Sequence, residues 1–150
     1  MSAEQRIQVV AHCLLNPTVR IGKGIAFVSN TPVIQLPCPE TIYFGLSRWE
    51  LTKNQLDFPK YRRFCRLLFR PYADLIQQLA EKGMCIELIG LAKSPSCAAE
   101  LTTRGYQGGK IKRCKHEHVR GKGVFFEEIE SELSQRGIQI KMSDHKMETY

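Results

Sequence analysis

The chain has 150 residues, 43% apolar and 25% charged, which suits one globular domain with its own core, so we expect a single domain over residues 1–150. No apolar run reaches the ~20 residues of a membrane span, and His12 interrupts the run behind the polar N-terminus, so we expect no signal peptide and a cytoplasmic location. The net charge of +7 suits an acidic partner.

Four apolar runs predict the strands of a sheet. In chain order they are residues 7–11 (IQVVA), 31–37 (TPVIQLP), 85–92 (CIELIGLA) and 138–142 (IQIKM). A turn is expected at Asn16 and Pro17, after the first run. The tail from Ser143 onward is polar and is expected to lie outside the last strand.

Two amphipathic patterns predict the helices. The first begins at Pro59 and ends before Gly83, with apolar residues at three- and four-residue steps. Pro71 lies inside this pattern and is expected to kink the helix or split it in two. The second pattern covers residues 124–133 and ends at Gly137.

The alternation of strands and helices predicts an α/β fold, a Rossmann-like single domain whose mostly parallel sheet carries helices on both faces. Ligands of such sheets bind outside the carboxyl ends of the strands. Cys13 follows the first predicted strand, Cys38 the second and Cys97 the third. The three cysteines are therefore expected at the same edge of the sheet.

The stretch from His12 to Arg20 is similar to a phosphatase loop. In such a loop a cysteine nucleophile is followed by an arginine that completes the phosphate-binding site. Six residues separate Cys13 from Arg20, one more than such a loop has. Pro17 removes a backbone donor, and no glycine permits the tight turn. A nucleophilic role for Cys13 is disfavoured, and Arg20 is left without a role.

A metal site is the alternative for these cysteines. Cys38 lies between prolines in "LPCPE", and Cys97 ends "SPSC". Rigid loops that each present one thiolate suit an iron–sulfur cluster. The other possibility is that the three are unrelated loop or core cysteines.

Three motifs, "CLL", "CPE" and "KSPSC", follow the strands in this order, and "GKGVFFEEIESELSQRGI" follows later. Together they resemble the thiouracil desulfidase family over nearly the whole chain. The resemblance implies a [4Fe–4S] cluster held by Cys13, Cys38 and Cys97, with one iron open to substrate. It further implies a small-molecule thiolated substrate, whose sulfur leaves as hydrogensulfide after water attacks the carbon.

The resemblance also implies catalytic roles for two polar residues. Ser94 would orient or protonate the substrate, and Glu40, the acid close to the second cysteine, would move protons. The stretch 41–48 lacks the glycines and prolines of the family, and Ala98 replaces its usual glycine. We therefore expect a divergent subgroup.

A basic stretch, residues 104–123, carries much of the positive charge and suggests a second hypothesis. A loop of this kind is typically a solvated surface segment, but it could also bind a polyanion. The chain would then be a basic nucleic-acid-binding module with incidental cysteines, although no RNA-binding motif is present. A combination is also open, in which this loop attracts a nucleic acid that carries the thiolated base.

The remaining chemistry-bearing residues have plainer interpretations. Cys65 and Cys85 fall on apolar faces and are expected to be buried hydrophobes. The run "CKHEH" could bind a metal or be part of a solvated loop. Aromatic side chains near the second cysteine could stack on a heterocycle or pack in the core. The possible metal ligands of this run are Cys114, His116 and His118, and the aromatic side chains are Tyr43, Phe44 and Trp49.

Overall fold

The structure is a computed structural model that describes residues 5–20, 27, 29–105 and 117–145. The strands are β1 (Arg6–Val10), β2 (Val33–Gln35), β3 (Cys85–Leu91), β4 (Leu101–Arg104), β5 (Glu117–Arg120) and β6 (Lys141–His145). The helices are α1 (His12–Leu15), α2 (Pro39–Phe44), α3 (Lys53–Leu56), α4 (Pro59–Glu81) and α5 (Val124–Gln135). A single 3₁₀ turn, Pro17–Val19, follows α1.

Four strands form a parallel sheet in the order β2-β1-β3-β6. The strands β1 and β3 lie at its centre and contribute buried aliphatic residues, as expected of a sheet that is covered on both sides. In register, Val9 lies beside Ile34 on one side and Leu88 on the other. The predicted α/β class and Rossmann-like single-domain architecture are confirmed.

The two long helices pack against each other and against the sheet. Helix α4 buries one stripe at helical spacing, formed by Tyr61, Cys65, Phe69, Ala73 and Ile76. Pro71 lies inside α4, which runs from Pro59 to Glu81, so the proline does not split the helix in two, and a kink at this position stays a prediction. The buried stripe continues past the proline on both sides, and tertiary packing therefore outweighs the lost backbone hydrogen bond.

Two further differences concern the C-terminal part. The last strand is β6 rather than residues 138–142, because 138–140 still belong to the connection behind Gly137, whose φ is 71°. Strands β4 and β5 pair antiparallel, and β5 lies within the basic stretch, which the sequence did not indicate. Among the described residues, no helix is long and apolar enough to cross a membrane.

Candidate active site at the carboxyl edge of the sheet

Three cysteines lie beyond the carboxyl ends of three neighbouring strands. Cys13 is in α1, which follows β1 after one residue, and Cys38 caps α2 after β2. Cys97 is buried in the turn that follows β3. The thiols of Cys13 and Cys38 both act on the pKa of Cys97, so the fold brings the three sulfurs into electrostatic contact. We call them the three-cysteine site.

Burial controls the ionisation of these thiols. Burial, together with the nearby Cys38 and Glu40, raises the pKa of Cys13 to about 12, while the charge of Arg20 opposes them. Burial likewise raises the pKa of Cys97 well above its ordinary value of 9.0. In the metal-free protein both thiols are therefore protonated at neutral pH. Metal binding at this site must expel their protons.

Cys38 has hydrogen-bond donors directed at its sulfur. The sulfur accepts from the backbone N–H of Thr41 at 3.4 Å and from the Thr41 hydroxyl at 3.1 Å. Pro39 occupies the first turn of α2, where a missing N–H costs nothing, and so fixes the approach of the chain. The Thr41 hydroxyl in turn accepts from Nη1 of Arg48 at 3.1 Å. These bonds fix the position of the Cys38 sulfur.

Glu40 is a buried carboxylate beside the same thiols, with only 8% of its surface exposed. Its Oε2 accepts from Nε of Arg48 at 3.1 Å, and its Oε1 accepts from the Ser96 hydroxyl at 2.9 Å. The oxygens of Ser96 and Tyr61 are 3.0 Å apart. We call Arg48, Glu40, Ser96 and Tyr61 the Glu40 chain. It connects two loops and helix α4 to one buried carboxylate.

The direction of the hydrogen bonds in the Glu40 chain follows from the ionisation of its members. Burial raises the pKa of Tyr61 well above its ordinary value, so the phenol keeps its proton. Ser96 donates its single proton to Glu40, and the remaining partner of the Ser96 oxygen is the phenol of Tyr61, which donates. The chain therefore directs two hydroxyl protons toward Glu40.

Ser94 shapes the turn that presents Cys97. Its hydroxyl oxygen accepts from the backbone N–H of Cys97 at 2.9 Å and from that of Ser96 at 3.3 Å. Lys93, just before it, has a left-handed backbone with φ of 73°. The sequence placed the hydroxyls of Ser94 and Ser96 close to Cys97 but suggested a catalytic role only for Ser94, whereas Ser96 is the serine that contacts Glu40. Its position next to Cys97 was the available signal.

The turn that carries Cys97 is fixed from outside as well. Asp144 of β6 accepts from three consecutive backbone N–H groups, those of Ala99, Glu100 and Leu101, at 2.5, 2.9 and 3.0 Å. A Cβ atom at Gly90 would meet the Cys97 carbonyl oxygen, and one at Gly123 would meet the Ser96 carbonyl. Neither position leaves room for a side chain. The backbone around Cys97 is therefore closely packed.

Two buried nitrogens near this edge lack a hydrogen-bond acceptor among the described residues. They are Nη1 of Arg20, which follows the 3₁₀ turn behind α1, and Nε1 of Trp49. The Trp49 ring packs edge-on against Phe44 at a centroid distance of 6.1 Å, and Tyr43 packs similarly against Tyr61 at 5.3 Å. These rings border the core, in line with the packing interpretation rather than the stacking one.

Five other residues were selected from the sequence as possible chemical groups: Cys65, Cys85, Cys114, His116 and His118. Cys65 is fully buried in α4, as expected, and Cys85 is half-buried at the start of β3. Cys114 and His116 lie outside the described residues, as does most of the basic stretch. His118 lies in β5, with its Nδ1 3.3 Å from the hydroxyl of Thr103.

The side chains at this edge, three cysteine thiols, are of the type that holds an iron–sulfur cluster. Cys13, Cys38 and Cys97 are all free of disulfides. Across the part of the chain that the structure describes, no three His, Cys, Asp or Glu side chains could hold a metal ion as they stand. A cluster holds its thiolates farther apart than one ion does, because irons and sulfides lie between them. The orphaned guanidinium nitrogen of Arg20 supplies positive charge nearby, which suits an anionic cluster.

Comparison with known proteins leaves the function open. The chain is similar to MJ0003, an uncharacterised protein of Methanocaldococcus jannaschii, with 27% identity over 153 residues that cover 94% of this chain and 86% of the relative. No family model matches the chain. No solved structure gives a significant match.

Proposed function

We propose that this protein is an iron–sulfur-dependent desulfidase that removes sulfur as hydrogensulfide from a thiolated nucleobase or a related small thioamide. The observation that carries the proposal is the convergence of Cys13, Cys38, Cys97 and the buried carboxylate of Glu40 at one edge of the sheet. The resemblance of the motifs around these residues to the thiouracil desulfidase family supports it. The reducing environment of the cytoplasm would preserve the thiols.

Cys13, Cys38 and Cys97 would hold a [4Fe–4S] cluster. When bound, such a cluster supplies a Lewis-acidic iron with an open position for sulfur. The thiols of Cys13 and Cys97 lose their protons as it binds. The two Thr41 donors fix the position of the Cys38 sulfur.

In this proposal Glu40 is the acid–base group of the hydrolysis. Arg48 holds the carboxylate in place at 3.1 Å before the reaction, and the carboxylate takes up the proton of the water that attacks the thiocarbonyl carbon. Ser96 and Tyr61 orient the carboxylate through the bonds they direct toward it. Ser94 keeps a free hydroxyl proton, since its oxygen acts as an acceptor in the turn, and it can donate that proton to the substrate.

The direct test is product formation by anaerobically purified protein. Incubation with 2-thiouracil or 4-thiouracil should release hydrogensulfide and uracil in equal amounts, without an added reductant, because the reaction is a hydrolysis. Glu40→Gln should retain the iron and lose the activity. Iron-loaded wild-type protein that releases no sulfide from any thioamide would refute the proposed reaction.

A further inference from the structure

Arg20 is the cation at the three-cysteine site that the proposed reaction does not use. It follows the 3₁₀ turn Pro17–Val19, which packs directly behind the helix that carries Cys13. The side chain of Asn16 caps this turn by accepting from the backbone N–H of Thr18 at 3.3 Å. The position of Arg20 relative to Cys13 is therefore fixed by local structure.

The same turn is tied to the Glu40 chain. The carbonyl oxygen of Val19, the residue before Arg20, accepts from Nη2 of Arg48 at 3.0 Å. Arg20 is thus held between the helix of Cys13 and the arginine that binds Glu40. Its charge also acts on the thiol of Cys13.

The two arginines differ in how their donors are used. Arg48 donates from all three of its guanidinium nitrogens, to Glu40, Thr41, Gly45 and Val19. The buried Nη1 of Arg20 has no acceptor among the described residues. A buried guanidinium N–H without an acceptor is costly, so such a group is expected to find its partner in a ligand.

We propose that Arg20 is the binding group for an anionic sulfur ligand at the three-cysteine site, the hydrogensulfide that leaves the substrate. This inference rests on the proposed function. A guanidinium N–H makes strong, charge-assisted hydrogen bonds to anions. A neutral thioamide gains little from this charge. Arg20 stabilises most strongly the negative charge that develops on the departing sulfur. It therefore favours the transition state in which the carbon–sulfur bond breaks.

The test is a titration of the iron-loaded protein with sodium hydrogensulfide under anaerobic conditions, followed by visible absorbance and by electron paramagnetic resonance. Arg20→Gln should keep the iron content of the wild type and bind hydrogensulfide at least about tenfold more weakly, since one charge-assisted bond is lost. Arg20→Lys should recover part of the affinity. Arg63→Gln, which removes an exposed arginine of α4, is the matched control and should bind as the wild type does.

The outcomes separate the two proposals. If Arg20→Gln binds hydrogensulfide within twofold of the wild type, the role of Arg20 is wrong and the proposed function stands. If Arg20→Gln and Arg20→Lys both lose their iron, Arg20 serves cluster assembly, and the binding role is again overturned. Wild-type protein that takes up no iron overturns both proposals.

Discussion

Asp144 offers the sharpest test of how the fold presents Cys97. Its carboxylate accepts from the backbone N–H groups of Ala99, Glu100 and Leu101, directly after the turn that carries the cysteine. A hydrogen bond to a charged group contributes about 1.5–3 kcal/mol. Glu100 is exposed, so water can replace its bond, but Ala99 is buried and Leu101 is half-buried. Asp144→Ala should therefore lower the free energy of unfolding by about 3–6 kcal/mol through the two shielded bonds.

The assay for this prediction combines urea unfolding with amide hydrogen exchange on metal-free protein. Exchange at residues 99–101 should accelerate well beyond that of the central strands if Asp144 fixes this segment. Asp74→Ala is the matched control, because the Asp74 side chain is 67% exposed and its ion pair with Arg136 contributes at most about 1 kcal/mol. If Asp144→Ala unfolds within 1 kcal/mol of the wild type and exchange at 99–101 is unchanged, the reasoning fails.

Three further predictions address packing, ionisation and the buried carboxylate. Gly123→Ala places a Cβ atom 2.7 Å from the backbone nitrogen of Cys97. It should lower the free energy of unfolding by about 2–3 kcal/mol, and the melting temperature by roughly 5–10 °C. A melting temperature lowered by less than about 2 °C would contradict the close packing. Burial raises the pKa of Cys65 from 9.0 to about 12, so above pH 9 the unfolded chain releases a proton that the folded chain keeps, and stability falls. Between pH 9 and 10.5 the free energy of unfolding should therefore fall less steeply with pH in Cys65→Ala than in the wild type, and the two slopes should differ by up to about 1.4 kcal/mol per pH unit. Equal slopes in urea unfolding at alkaline pH would refute this. Glu40→Gln leaves its buried arginine partner uncompensated and should unfold about 3–5 kcal/mol more readily in urea, whereas unchanged stability would mean that the pair is solvated.

The location of the candidate site followed from the sequence because it depends on a simple rule. Parallel neighbouring strands end at the same edge, so Cys13, Cys38 and Cys97 could be grouped from their positions behind three apolar runs. This rule requires only that the sheet is parallel, and it does not depend on the exact length or position of each strand. The short true length of β2 and the shift of β6 therefore did not disturb it.

The partners of the site could not be found in this way, because they come from distant parts of the chain. Ser96 and Tyr61 are 35 residues apart and meet through the packing of α4 on the sheet, which no local pattern encodes. Asp144 belongs to a polar segment that sequence reasoning placed outside the last strand. Strand β6 forms there because its backbone pairs with β3, and polar residues at an edge strand give little apolar periodicity.

Arg20 shows the limit of motif comparison. Its distance from Cys13 along the chain disfavoured a phosphatase loop and left it without a role. Only the burial of its guanidinium nitrogen near Cys13 indicates one. The number of residues between Cys13 and Arg20 indicates whether a known motif is present. It does not indicate what other role two neighbouring side chains can have.

The central claim is that three particular cysteines hold an iron–sulfur cluster, and iron and acid-labile sulfide analysis of anaerobically reconstituted variants tests it most directly. Wild-type protein should contain about four irons per chain, and Cys13→Ala, Cys38→Ala and Cys97→Ala should each lose them. The matched controls Cys65→Ala and Cys85→Ala should keep the wild-type content. Wild-type protein without iron, or equal loss in all five variants, would contradict the account.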